Sequence, residues 1–175
     1  KFYKFDKLGE EINKKIDLIV VAVVSKGIEW ASLTLSKFLK KNIPILILTK
    51  GLAIYKNTYE ILAHKMERIF KKNGIKKINI SAAGGPCLAK GLANKAHTSV
   101  VFANKDIKVV KKISKLVSTS YYHVFTSTDV IGVESCAAIK NIFSMAVGAA
   151  QGLCNSITEK EKNYLNTAAA LIQES

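Results

Sequence analysis

Asp17-Leu-Ile-Val-Val-Ala-Val-Val24 decides the fold. The run is apolar without interruption, rich in valine, and lacks the polar alternation of a half-exposed strand, so it fits a strand covered on both faces. It reads as a central parallel strand. Moving outward, residues 28–41 have helical spacing, with Ile28, Leu33, Leu35, Phe38 and Leu39 apolar, and Asn42 and Pro44 break the helix before the strand at 43–48. The cycle then repeats: a helix over 57–72 stopped by Asn73-Gly74, and a strand over 75–83. A short helix over 86–95, a strand over 98–103, a helix over 106–117 and a strand over 121–126 continue it. Strands and helices alternating in this way predict a right-handed α/β sheet.

From about Asp129 the alternation ends. One long helix rich in small residues is expected to reach Leu153, and a second to begin at Thr158, whose hydroxyl forms a capping box with Glu161. A domain boundary is therefore expected near Thr128, separating residues 1–127 from an all-helical part at 128–175.

Composition narrows the function. The chain has 175 residues, 49% of them hydrophobic, enough for one core or one domain and the start of another. Its net charge of +14 raises a basic nucleic-acid-binding α/β module as an alternative. Arg68, however, is the only arginine, and the lysines are scattered in short runs at helix ends, as a solvated surface requires. No nucleic-acid partner is expected. Cys87, Cys136 and Cys154 form no CxxC and have no histidine close in sequence, which disfavours a disulfide framework or a bound metal and fits a reducing cytoplasm. The longest apolar stretch, 129–153, contains Asp129, Glu134 and Lys140, so no membrane span is expected. No GxGxxG follows a first strand, and both ends look cut in mid-pattern, which suggests an internal fragment.

Ligands of an open parallel sheet bind beyond the carboxyl ends of its strands, which directs attention to the turns after 24, 48 and 83. Lys50 could point its ammonium into such a crevice, beside Gly51. Gly84-Gly85-Pro86-Cys87 suits a tight turn that offers backbone N–H groups to an anionic or carbonyl ligand. Lys140-Asn141 lies among Ala137, Ala138, Ala146 and Gly148, so an ammonium there needs a buried partner or a polar cavity. His64, His97 and His123 share no spacing and read as structural. The absence of Gly-x-Ser-x-Gly, HExxH and a paired-carboxylate array removes serine hydrolases, zincins and glycosidases.

Taken in order, Thr49-Lys-Gly51, Ala83-Gly-Gly-Pro-Cys-Leu-Ala-Lys-Gly91, Thr98-Ser-Val-Val-Phe-Ala103, the stretch 126–141 and Asn166-Thr-Ala-Ala-Ala-Leu-Ile172 resemble the NAD(P)-dependent glycerol-3-phosphate dehydrogenases. The resemblance implies the later half of a Rossmann-like dinucleotide-binding sheet (1–127) followed by the start of an all-α substrate domain (128–175). It implies NAD or NADP as cofactor and hydride transfer between the nicotinamide and dihydroxyacetone phosphate, giving sn-glycerol 3-phosphate, a glycerophospholipid precursor, in a cytoplasmic homodimer. Lys140 matches the catalytic lysine and Asn141 its partner; Lys50 matches a lysine contacting substrate and cofactor. Gly85 and Cys87 match substrate-lining positions, and Ile28 and Ala89 fall where the family touches the dinucleotide. The family's glycine fingerprint would precede Lys1 and its phosphate-binding segment would follow Ser175, so the 175 residues alone are expected not to bind dinucleotide. Cys87 departs from the usual serine and offers a weaker hydrogen bond. Ketopantoate reductases and β-hydroxyacid dehydrogenases share the architecture and compete for the substrate; the Gly-Gly-Pro-Cys loop and Asp129-x-x-Gly-x-Glu134 favour glycerol phosphate.

Overall fold

A computed structural model of the chain describes residues 3–12, 14–39 and 42–153. A 3-10 turn and α1 (Leu8–Ile12) lead into β1 (Ile19–Val21), α2 (Ile28–Phe38) and β2 (Ile45–Ile47). A hairpin, β3 (Leu52–Tyr55) and β4 (Thr58–Ile61), precedes α3 (Leu62–Lys72) and β5 (Ile80–Gly84). Then follow α4 (Ala89–Ala93), β6 (Thr98–Ala103), α5 (Ile107–Val117), β7 (Tyr122–Ser127) and the long α6 (Val130–Leu153). The expected capping box at Thr158 and the motif at 166–172 lie outside the described residues.

The α/β expectation holds, with three differences. The first concerns β1: the sheet order is β1-β2-β5-β6-β7, so among the described residues the valine-rich strand is an edge, with Val20 47% exposed. An apolar run reports burial of side chains and carries no count of neighbouring strands.

The second is the hairpin, where a helix from Asn57 was expected. Lys56 and Asn57 both take positive φ, 49° and 61°, and turn the chain in two residues, the backbone twist that suits a tight hairpin. Tyr55 then pairs with Thr58 and Leu52 with Ile61. Arg68 of α3 braces the hairpin: its guanidinium donates to both oxygens of Glu60, at 3.0 and 2.7 Å, and lies 3.9 Å from the Tyr55 ring centre.

The third is direction. β1, β2 and β5 are parallel, but β6 runs antiparallel to β5 and parallel to β7. The single-turn α4 is too short to carry the chain back along the sheet, as a parallel crossover requires. One consequence matters for the site: the amino ends of β6 and β7 lie beside the carboxyl end of β5.

Helices cover both faces. Ile28, Ile47, Met66, Phe70 and Val130 belong to the core beneath α2, α3 and α6, while Val100, Phe102, Val110 and Ile113 pack beneath α5. Between strands, Asn104 is buried and its amide donates to the Ile80 carbonyl and the Ser81 hydroxyl, which ties β5 to the end of β6.

Candidate active site

The site is assembled by the path of α6. Asp129 begins the helix, accepting the Gly132 N–H at 2.8 Å, and is itself held by its own N–H donating to the Ser127 hydroxyl. Because β7 runs opposite to β5, α6 starts near the amino end of β5 and travels back along the sheet face toward its carboxyl end. At about 1.5 Å per residue, the stretch from Val130 to Lys140 covers about 15 Å, roughly the length of β5. Gly84 permits the crossing: a Cβ there would stand 2.9 Å from a Val133 methyl, and Ala137 is next along the contact.

A cleft of about 210 Å³ results, lined among others by Gly84, Gly85, Asp129, Val133, Cys136 and Lys140. On the other side of the same two glycines a second hollow, about 170 Å³, is lined by Lys50, Gly85, Cys87, Val100 and Tyr122. Gly85 is the hinge between them. Its φ is +106°, and a Cβ would come within 3.0 Å of the Val100 Cα and 3.1 Å of the Ser99 carbonyl, so only glycine fits. Its outward-turned carbonyl accepts a hydrogen bond from Lys50 Nζ at 2.9 Å.

Electrostatically this is a cationic pocket. Partial burial lowers the Lys50 pKa from the ordinary lysine range, the nearby Lys140 ammonium lowers it further, and Cys87 acts in the opposite sense. Among the described residues no carboxylate forms an ion pair with either lysine. Two neighbouring cations, with Asp129 in the same cleft but not ion-paired to Lys140, favour an anion and negative charge that develops during a reaction. Burial also raises the Tyr122 pKa, with Cys87 adding to it, so that phenol stays a neutral donor at the rim.

The structure therefore brings together Lys50, Gly85, Cys87 and Lys140. Asn141, the next residue on α6, is exposed and is not among the residues lining either hollow. Ile28 opens α2 with its side chain 0% exposed, so any ligand contact there falls to the main chain, and Ala89 is exposed at the start of α4. His97 and His123 stand in contact on the surface, Nδ1 to Nε2 2.9 Å apart. The sequence reading passed over Tyr122, Asp129 and Cys136 as site residues; only Asp129 carried a local signal, as an acidic N-cap.

The family described as the NAD-dependent glycerol-3-phosphate dehydrogenase N-terminus matches residues 6–110, more than half of the chain. The chain belongs to this glycerol-3-phosphate dehydrogenase family. Among curated relatives, it is 34% identical over 137 residues to a glycerol-3-phosphate dehydrogenase [NAD(P)+] of Francisella philomiragia, covering 78% of this chain and 39% of that protein. It is 31% identical over 153 residues to the one of Streptococcus agalactiae serotype V, covering 87% and 44%. The chain thus spans about two fifths of the length of the relatives it matches. The fold agrees: the glycerol-3-phosphate dehydrogenase structure from Plasmodium falciparum superposes with a TM-score of 0.72 at 22% identity, covering 94% of this chain and 44% of that one. The arrangement is Rossmann-like, with helices on both faces of a mainly parallel sheet.

Proposed function

We propose that the full-length enzyme carrying this chain reduces dihydroxyacetone phosphate to sn-glycerol 3-phosphate with NADH or NADPH, and oxidises it in reverse. The observation that carries this reading is the pair of ammonium groups, Lys50 and Lys140, beside Gly84-Gly85, neither of them ion-paired with a carboxylate among the described residues. A dianionic ketose phosphate whose carbonyl becomes an alkoxide needs such a pocket. Lys140 donates the proton that completes the alcohol, and takes it back in reverse. Lys50, fixed by the Gly85 carbonyl, holds the carbonyl oxygen and takes up charge as it develops. An anion bound here would raise the Lys50 pKa again, because it offsets the repulsion from Lys140. Gly85 and Cys87 line the substrate, and Asn141 supports Lys140.

The residues present fit a dinucleotide. Gly51, at φ +138°, lies beside Ser25 at the turn that leads into α2, where Ile28, its N–H bonded to the Ser25 carbonyl, and Ala89 at the start of α4 are the contacts that the family resemblance assigns. When bound, NAD(P)H supplies the hydride. By this reading residues 1–127 belong to the dinucleotide-binding part and 128–175 open the helical substrate part. No helix among the described residues is long and apolar enough to cross a membrane. We place the enzyme in the cytoplasm as a homodimer that supplies glycerophospholipid precursor.

The test is turnover by the purified full-length enzyme, followed by loss of reduced-nicotinamide absorbance with dihydroxyacetone phosphate, ketopantoate and a β-keto acid in parallel. Dihydroxyacetone phosphate is expected to be turned over at least tenfold more efficiently, a discrimination of about 1.4 kcal/mol. Equal turnover of either rival would overturn the assignment.

A further inference from the structure

Glu134 is 5% exposed, sits near the amino end of α6, and has no ion-pair partner among the described residues. One oxygen, Oε2, accepts the Ala63 N–H at 3.0 Å; the other, Oε1, is buried with no partner. Ala63 is the second residue of α3, where the backbone N–H has no acceptor within its own helix. Ile61, which precedes α3, has no side-chain oxygen to cap it. The cap of α3 thus comes from another helix, 71 residues away in sequence.

That bond constrains α6 in a way its apolar contacts do not. Gly84, Val133 and Ala137 limit how closely the helix approaches the sheet, but such contacts tolerate rotation and sliding. A hydrogen bond aimed at one N–H tolerates neither. Lys140 lies six residues further along the same helix, so its place at the cleft follows from where Glu134 is anchored.

We propose that Glu134 is a positioning residue, which fixes the rotation and register of α6 by capping α3 and so sets Lys140 opposite Lys50 and Gly85. The inference rests on the reaction proposed above for Lys140. Glu134 faces the amino end of α3, where the next residue, His64, has a buried Nε2 without a hydrogen-bond partner. Burial raises the Glu134 pKa to about 7, while the Ala63 N–H pulls it down, so the carboxyl changes charge near neutral pH.

The experiment compares the wild-type full-length enzyme with Glu134→Ala and Glu134→Gln. E134A is expected to lower kcat for dihydroxyacetone phosphate about tenfold or more while leaving KM for NAD(P)H within about twofold. E134Q, which keeps an oxygen for Ala63, is expected to recover most of kcat and to flatten the part of the pH profile centred near 7. By amide hydrogen exchange, Ala63 and the α6 amides should lose protection in E134A and retain it in E134Q. Unchanged kcat in both variants, with Ala63 still protected in E134A, overturns the inference. If the wild type does not reduce dihydroxyacetone phosphate, the functional reading fails instead. Exchange at Ala63 and along α6 then still decides whether Glu134 anchors the helix.

Discussion

The two stretches of α6 are opposites. Among the described residues, Glu134 of this helix is a buried carboxylate ion-paired with no cation, and Lys140 is an ammonium ion-paired with no carboxylate, next to a second ammonium. Several other charges of this chain are paired, as in Arg68 with Glu60, Lys65 with Glu29 and Lys71 with Glu67, and most of the remaining lysines are solvated on the surface. Uncompensated charge is costly in a fold, so its placement is informative. On the proposed reading, the counter-charge toward Lys140 comes from the ligand, and toward Glu134 a helix end takes the place of a cation, with a gain in geometric precision.

Breaking the cationic end should have the largest effect. Lys140→Met is expected to lower kcat by about 10³-fold through loss of the proton donor, and to raise the Lys50 pKa by removing a like charge, which pH-dependent acylation of Lys50 would read. A Lys50 pKa unmoved in K140M would mean that the two ammoniums do not share one field. Lys50→Met should cost less, roughly 10²-fold, since it removes charge stabilisation and leaves the donor in place. Steady-state kinetics on the full-length enzyme would rank the two.

At the anionic end the expected signature is in stability. A carboxyl at about 7 when folded, against 4.5 as a free group, binds protons more tightly in the native state. Its contribution is therefore present below about pH 4.5 and lost as pH rises through 7. The wild type should lose about 3 kcal/mol over that window relative to Glu134→Gln, measured as the divergence of their denaturant midpoints with pH. Parallel curves would show that Glu134 does not titrate there.

The smallest effect belongs to a matched charge. Arg68→Lys keeps the sign but loses the two-pronged bond to Glu60 and the stacking on Tyr55, and should cost about 1 kcal/mol by thermal unfolding, with kcat unchanged. A loss of activity here would mean that the hairpin reports to the site.

What was legible in the sequence follows the range of the interactions. Apolar runs such as 45–47 and the N-cap Asp106, which accepts the Lys108 N–H, are local, and sequence spacing locates them. The motif residues Lys50, Gly85, Cys87 and Lys140 were found as separate pieces, and the fold supplied their adjacency. The hairpin was hidden because Lys56-Asn57 turns as tightly as the usual glycine-containing pair while looking like a helix start. The direction of β6 depended on what a connection as short as α4 can span. Glu134 stood in the notable motif, but its partner Ala63 has no side chain that could announce the contact.

Gly84 gives the arrangement a mechanical reading. A methyl group at position 84 would act as a wedge beneath a rod whose working tip, Lys140, lies about 10 Å beyond the point of contact at Val133. A rigid rod enlarges a small lift at the fulcrum toward its free end. The tolerance of the ammonium's position is thus set by the absence of a single carbon atom in the floor of the sheet.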